Sequence, residues 1–257
     1  MKPENTEQFL NFCCEMGRQL IQNGAEIYRV EDSINRLMCA YGYTDTEVFA
    51  IPASVILNIL DEGHNYTKAI RIRSSFINLN KLEQLNALCR QVCRETPPPD
   101  RAFAQLRSIA ALSGYPQWGS YLAHGFVALF FTLFWGGGPL DAFFAFGCGV
   151  AVKAASGSLS RMNTNIFFTY VCASMAMVLP PLVLVHLGVP VHMDKIVIGA
   201  IMLLVPGIAI TNVIRDVLAG DFLTALTKFA EVLIISMALA LGIAIPVGVA
   251  RLLLGVI

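Results

Sequence analysis

The stretch Val232–Ala250, VLIISMALALGIAIPVGVA, runs for nineteen residues without a charged side chain and stops at Arg251. As a helix it would rise about 28 Å, close to the roughly 30 Å hydrocarbon core of a bilayer. Working outward, Ile196–Ile214 is equally free of charge and ends at Arg215-Asp216, and no charge lies between Arg161 and Asp194. Upstream, Tyr121–Trp135 and Leu140–Ser156 make a helical pair joined by Gly136-Gly137-Gly138-Pro139, with Lys153 placed to snorkel. These runs predict five spans at about residues 119–136, 139–156, 163–186, 194–214 and 230–251.

The rest of the chain has a different composition. Of 18 Lys/Arg and 18 Asp/Glu, residues 1–107 hold 12 and 13, which leaves 6 and 5 for the remainder. The whole chain is 56% hydrophobic and 14% charged, against about 25% charged for soluble domains. The expected fold is therefore an α-helical integral membrane protein carrying an N-terminal cytosolic α/β (α+β) domain. The head takes residues 1–113 and the membrane domain 114–257. Zero net charge and the lack of a basic block speak against nucleic-acid binding. The first residues, MKPENTEQFL, place acids where a signal peptide has its basic region, so the head is expected to stay in the cytosol. Lys153 and Arg161 flank the second loop and Arg215 and Lys228 the fourth, whereas the first loop has no Lys or Arg and the third only Lys195. The positive-inside rule then puts the head and the even loops in the cytosol, with the far end of the fifth span outside.

Within the head, Phe9, Phe12, Cys13, Met16 and Leu20 repeat at helical spacing up to Asn23-Gly24. Ile27, Val30, Ile34, Leu37, Met38 and Tyr41 form a second stripe closed by Gly42. Glu26 and Glu31 fall on opposite edges of it. They are expected to be half-buried carboxylates, paired with Arg29, Arg36 or a neighbouring strand. Thr46–Ile51, Ser54–Leu60 and Tyr66–Arg73 read as strands around Pro52 and the turn Asp61–Asn65. Alternation places Thr67, Arg71 and Arg73 on one face; two arginines there suit either an anion or an exposed, salt-bridged sheet surface. Asn78–Arg94 and about Asp100–Leu112 read as further helices, and Trp118 and Tyr121 as interfacial anchors. Seven cysteines, mostly on apolar faces, fit reduced thiols. Cys89 and Cys93 are spaced i,i+4, but no second pair completes a four-ligand zinc set, and neither a metal nor a cofactor is expected. The head contains no GxSxG, HExxH, P-loop or GxGxxG motif, and no catalytic residue is assigned.

Two features of the membrane part look functional. Pro206-Gly207 should interrupt the fourth span, exposing half-helix ends of the kind at which transporters bind small polar solutes, although a packing kink accounts for the dipeptide equally. Thr211 and Asn212 directly after the break favour function. Lys153, Ser156, Ser158, Asn163, Thr164, Asn165, Asp216, Asp221, Lys228 and Glu231 gather at the cytosolic ends as a polar vestibule or as snorkelled helix termini. The candidate substrate-binding residues are Lys153, Asn163, Pro206, Gly207, Thr211, Asn212 and Asp216.

Several of these stretches carry a resemblance. Gly24-Ala25-Glu26-Ile27-Tyr28-Arg29-Val30-Glu31-Asp32, Thr67–Arg73 with Asn78–Leu82, Tyr115-Pro116-Gln117-Trp118, and Leu204-Val205-Pro206-Gly207 through Gly220-Asp221 resemble the threonine/serine exporter family over nearly the whole chain. The resemblance implies export of small metabolites across the bacterial inner membrane. It also implies that this chain matches the first of two halves that are fused in full-length members, the second half being a short membranous partner subunit. A similar split pair is associated with succinate export, so threonine/serine and a C4-dicarboxylate both stand as cargo; a homo-oligomer is the other possible assembly. The family head has been described as hydrolase-like, which here points to Glu26, Arg29, Glu31, Asp61 and Arg71, with Arg73 beside them. A membrane-anchored hydrolase and a metabolite sensor using the head are the alternative functions.

Overall fold

The computed structural model describes residues 5–73, 75–112, 114–162 and 164–254. It divides into two compact units, Met1–Ser113 with Thr211–Thr227, and Gly114–Ile210 with Lys228–Ile257.

The first unit opens with α1 (Thr6–Gln22), capped by the Asn5 side chain, which accepts from the Gln8 N–H at 3.0 Å. At its end Gly24 adopts φ +94° and the Ala25 N–H reaches back to the Leu20 carbonyl, the left-handed cap that glycine permits. α2 (Ile27–Ala40) follows at once. β1 (Thr46–Ile51), β2 (Ser54–Asp61) and β3 (His64–Arg71) then form an antiparallel meander in the order β1-β2-β3. The β2–β3 turn is tighter than the five-residue turn expected from sequence. Glu62 and Gly63 both take positive φ, so two residues reverse the chain and pairing runs on to Asp61↔His64. α3 (Leu79–Glu95), capped by Asn78, and α4 (Pro99–Ala110) complete its N-terminal part. Phe9, Met16, Val30, Ile34, Leu37, Val55, Leu57, Leu85 and Leu106 are buried in one core, which packs the helices against a single face of the sheet. The opposite face leaves Phe49, Ile56 and Leu60 exposed.

The second unit is helical. α5 (Gln117–Phe134), α6 (Pro139–Arg161) and α7 (Ile166–His186) are followed by α8 (Met193–Ile201). After a break, α9 (Gly207–Leu218) and α10 (Phe222–Leu254) complete the chain, each of these two helices having residues in both units. Among the described residues three helices are long and apolar enough to cross a membrane: α6, α7 and α10. Small residues let the helices approach closely. A Cβ on Gly149 would strike the His124 carbonyl of α5; one on Gly199 of α8 would meet the Thr132 hydroxyl and lie 2.6 Å from the Thr132 nitrogen. Gly242 of α10 also lies close against α7, with Ser174 Cβ 2.6 Å from where a Cβ would stand. Ala128, Ala145, Cys148, Met177, Ile196, Ala200 and Leu239 form the interior, while Phe130, Phe143, Leu233 and Met237 face outward as lipid-compatible surface.

Candidate functional site

The fourth apolar run is where the sequence interrupts its own helix. α8 ends at Ile201, Leu204 and Val205 donate to the Ile201 carbonyl at 2.8 and 3.0 Å, and the Gly207 N–H closes a tight turn on Val205 at 2.8 Å. Proline has no N–H to continue the ladder, and its ring excludes a helical carbonyl one turn back. α9 therefore restarts at Gly207, whose Cβ position faces open space. Thr211 and Asn212 lie on this restarted helix, exposed and half-buried respectively, and belong to the first unit, whereas Pro206 and Gly207 belong to the second. Lys153 of α6 is half-buried in the second unit, within electrostatic reach of His124 of α5. Asn163 lies outside the described residues.

The end of α9 does not form the surface-exposed Arg215-Asp216 pair that a snorkelled helix terminus implies. Helical spacing turns the two side chains apart. Asp216 is wholly buried, on the same row as Asn212, and Arg215 forms an ion pair with Glu26. Glu26 holds the N-cap position of α2 but makes no capping bond with its side chain. Its carboxylate, 9% exposed, instead sits between Arg215 and Arg29, whose Nε lies 2.7 Å from Oε2. Arg29 itself is largely exposed and also bonds the Tyr28 hydroxyl at 3.2 Å. A carboxylate so far from water needs such partners, because an unpaired buried charge is costly.

Glu31, one turn further along α2, accepts the Ala50 N–H of edge strand β1 at 2.8 Å. Burial pushes its pKa up, the Ala50 bond works against this, and the nearby charge of Asp221 adds to the rise. Asp221 in turn accepts the Thr224 N–H at 3.2 Å and caps α10. The two signature glutamates thus meet the α9–α10 corner within one compact unit. Arg71 and Arg73 do not join them; both are exposed, and the face of the sheet shared by Thr67 and Arg71 is the open one. Asp61 ends β2 opposite His64.

With this geometry the comparisons with known proteins can be read. A family described as putative threonine/serine exporter matches residues 11–249. The chain belongs to that family. As an exporter-family member it is a membrane transport protein. It is similar to the probable succinate transporter subunit YjjP of Escherichia coli (strain K12), 21% identical over 247 residues that cover 95% of both chains. It is also 24% identical to the Klebsiella aerogenes protein of the same name over 254 residues, again 95% of both. To the threonine/serine exporter of Corynebacterium glutamicum it is 22% identical over 256 residues, covering 95% of this chain and 52% of that protein; it spans about half of that relative's length. No solved structure matches.

The exporter-family chain also contains a constellation that sequence reasoning missed. Asp141, buried in the first turn of α6, accepts from the Gly138 N–H and the His192 N–H at 2.8 Å each and lies 3.0 Å from His192 Nδ1. It ties the α5–α6 loop to the α7–α8 loop. The capping half was readable in Gly138-Pro139-Leu140-Asp141 as an acid in a helix's first turn, but nothing local announced His192, fifty-one residues on. Arg215 escaped for the same reason: its partner lies in a different part of the sequence.

Proposed function

We propose that this chain is one subunit of a secondary exporter for small polar metabolites in the bacterial inner membrane. A second, purely membranous subunit supplies the other half. The observation that carries the reading is the helix interruption at Pro206-Gly207 in a chain of the exporter family, since half-helix ends are where transporters hold polar solutes. The split arrangement is supported by the end-to-end match to relatives named as subunits, beside a match to only 52% of the Corynebacterium exporter. Lys153 and Arg161 beside the second loop and Arg215 and Lys228 beside the fourth support a cytosolic head by the positive-inside rule, with five crossings when the α8–α9 pair counts as one. A partner with five crossings of opposite orientation then forms an inverted repeat with the cargo at its interface. Between threonine/serine and a C4-dicarboxylate, the half-buried cation Lys153 supports the dicarboxylate, whose second carboxylate asks for more positive charge than a zwitterion does.

Efflux of preloaded labelled succinate, threonine and serine, from cells expressing the chain alone and with the partner, tests this. Succinate efflux only with both subunits is the expected result, and Asn212→Ala should reduce it. Efflux of threonine instead would reassign the cargo. No efflux in either case despite correct insertion, or efflux untouched by Asn212→Ala and Pro206→Ala, would move the function to the head.

A further inference from the structure

On the side of α3 facing α2, Asn86, Arg90 and Arg94 follow one another at i, i+4 and i+8, a single row of the helix. Arg36 of α2 faces the same cleft of about 410 Å³, and Cys89 and Cys93 line it too. Arg36 has Asp32 as a partner, Nε to Oδ2 2.9 Å. Among the described residues neither Arg90 nor Arg94 has an ion-pair partner, although like charges one turn apart repel each other. Three guanidiniums against one carboxylate leave two positive charges in excess, and the amide of Asn86 adds a donor.

From this arrangement we propose that the cleft between α2 and α3 is a binding site for a small dianion, a dicarboxylate or a phosphate-bearing metabolite, held by Arg90 and Arg94 with Arg36 at the rim. Guanidinium forks suit both oxyanions, since each offers paired oxygens to parallel N–H donors. The assignment concerns the head and does not rest on which cargo the membrane part carries. The cleft contains its own reporter. Cys89, one turn before it, and the Arg36 charge lower the pKa of the half-buried Cys93 thiol against the cost of its burial. The shift favours the thiolate, the form that reacts with an alkylating agent, and the sulfur is only partly covered. An anion on the arginines covers this sulfur and weakens the Arg36 field that favours its thiolate.

The test uses the full chain in detergent, with Cys39→Ser removing the exposed thiol, and follows iodoacetamide alkylation of Cys93 at pH 7 by peptide mass spectrometry. Succinate or inorganic phosphate is expected to slow the reaction about tenfold and saturably, while threonine and ionic-strength-matched chloride leave it unchanged. Protection by succinate alone assigns the cleft to dicarboxylates, and by phosphate alone to phosphate-bearing metabolites. Arg90→Gln with Arg94→Gln should abolish protection relative to that variant's own anion-free rate; Arg90→Lys with Arg94→Lys should keep part of it. A thermal melt matching the parent confirms that the variants fold. Protection that survives the glutamine pair, or equals that of chloride, or is absent for both dianions, overturns the proposal.

Discussion

At the scale of single residues, Glu26 is a buried carboxylate held by two guanidiniums of unequal standing. Arg29 is its neighbour on α2 and mostly exposed, with side-chain exposure of 67%, whereas Arg215 comes from α9 and is 47% exposed. Removing Arg215 leaves the acid with only its local partner. Arg215→Gln should therefore destabilise the chain by about 1–2 kcal/mol, below the full cost of stripping a buried ion pair because Arg29 remains and water reaches the site. In a double-mutant cycle with Glu26→Gln, thermal or denaturant unfolding of the detergent-solubilised chain should be clearly non-additive. Additive losses would show that the two side chains are not coupled. Glu31 makes a separate statement about pH. Its folded-state pKa is raised, by burial first and by Asp221 in addition, so the folded chain binds the proton more tightly than the unfolded one. The associated stability is fully present below the unfolded value of 4.5 and is lost as pH rises through the folded value. Glu31→Gln removes that loss while keeping an oxygen for the Ala50 N–H. Its melting temperature relative to the parent should thus be higher at pH 7 than at pH 5. A difference that does not change with pH would refute the raised pKa.

At the scale of elements, close helix packing is set by glycines rather than by large interlocking side chains. Gly199 is the tightest case, because α8 reaches α5 where Thr132 offers both hydroxyl and backbone. Backbone cannot swing aside as a flexible side chain does. Gly199→Leu should cost about 1–3 kcal/mol or more through overpacking, read as a lowered melting temperature, while Gly248→Leu, with open space around it, serves as the tolerant comparison. Equal melting temperatures would overturn the packing argument. Much of this level was legible in the sequence. The stripes of α1 and α2, the position of the three strands and the break at Pro206-Gly207 follow from periodicity and from proline chemistry. Helix ends were less legible, for a physical reason. Charges mark where a helix leaves lipid and not where it stops, so α9 runs past Arg215-Asp216 to Leu218 and α10 begins at Phe222, well before the uncharged run. What stops α9 is the left-handed Gly220 at φ +85°, and what starts α10 is the Asp221 cap. Partners across the sequence, Glu26 with Arg215 and Asp141 with His192, had no local signal at all.

At the scale of the molecule, the number of crossings turns on the α8–α9 pair. α6, α7 and α10 are each long and apolar enough to span, and α5, at 18 residues, is close to the length required. α8, with 9 residues, is too short to cross alone, and α9 adds 12 after the break. If the pair crosses together, the loop after α7 and the corner after α9 lie on opposite faces, the arrangement that the positive-inside rule leads one to expect from the single Lys195 of the third loop and from Arg215 and Lys228 of the fourth. If it dips in and returns, both lie on the same face and the inverted-repeat assembly with a five-crossing partner loses its basis. Alkaline phosphatase fused after Gly188 should be active and fused after Gly220 inactive, because the enzyme folds only outside the inner membrane; a green fluorescent protein should give the reverse. Activity of the phosphatase at both positions would make the α8–α9 pair re-entrant and leave four crossings. The interruption would then be a loop entered from one side of the membrane instead of a break within a continuous span.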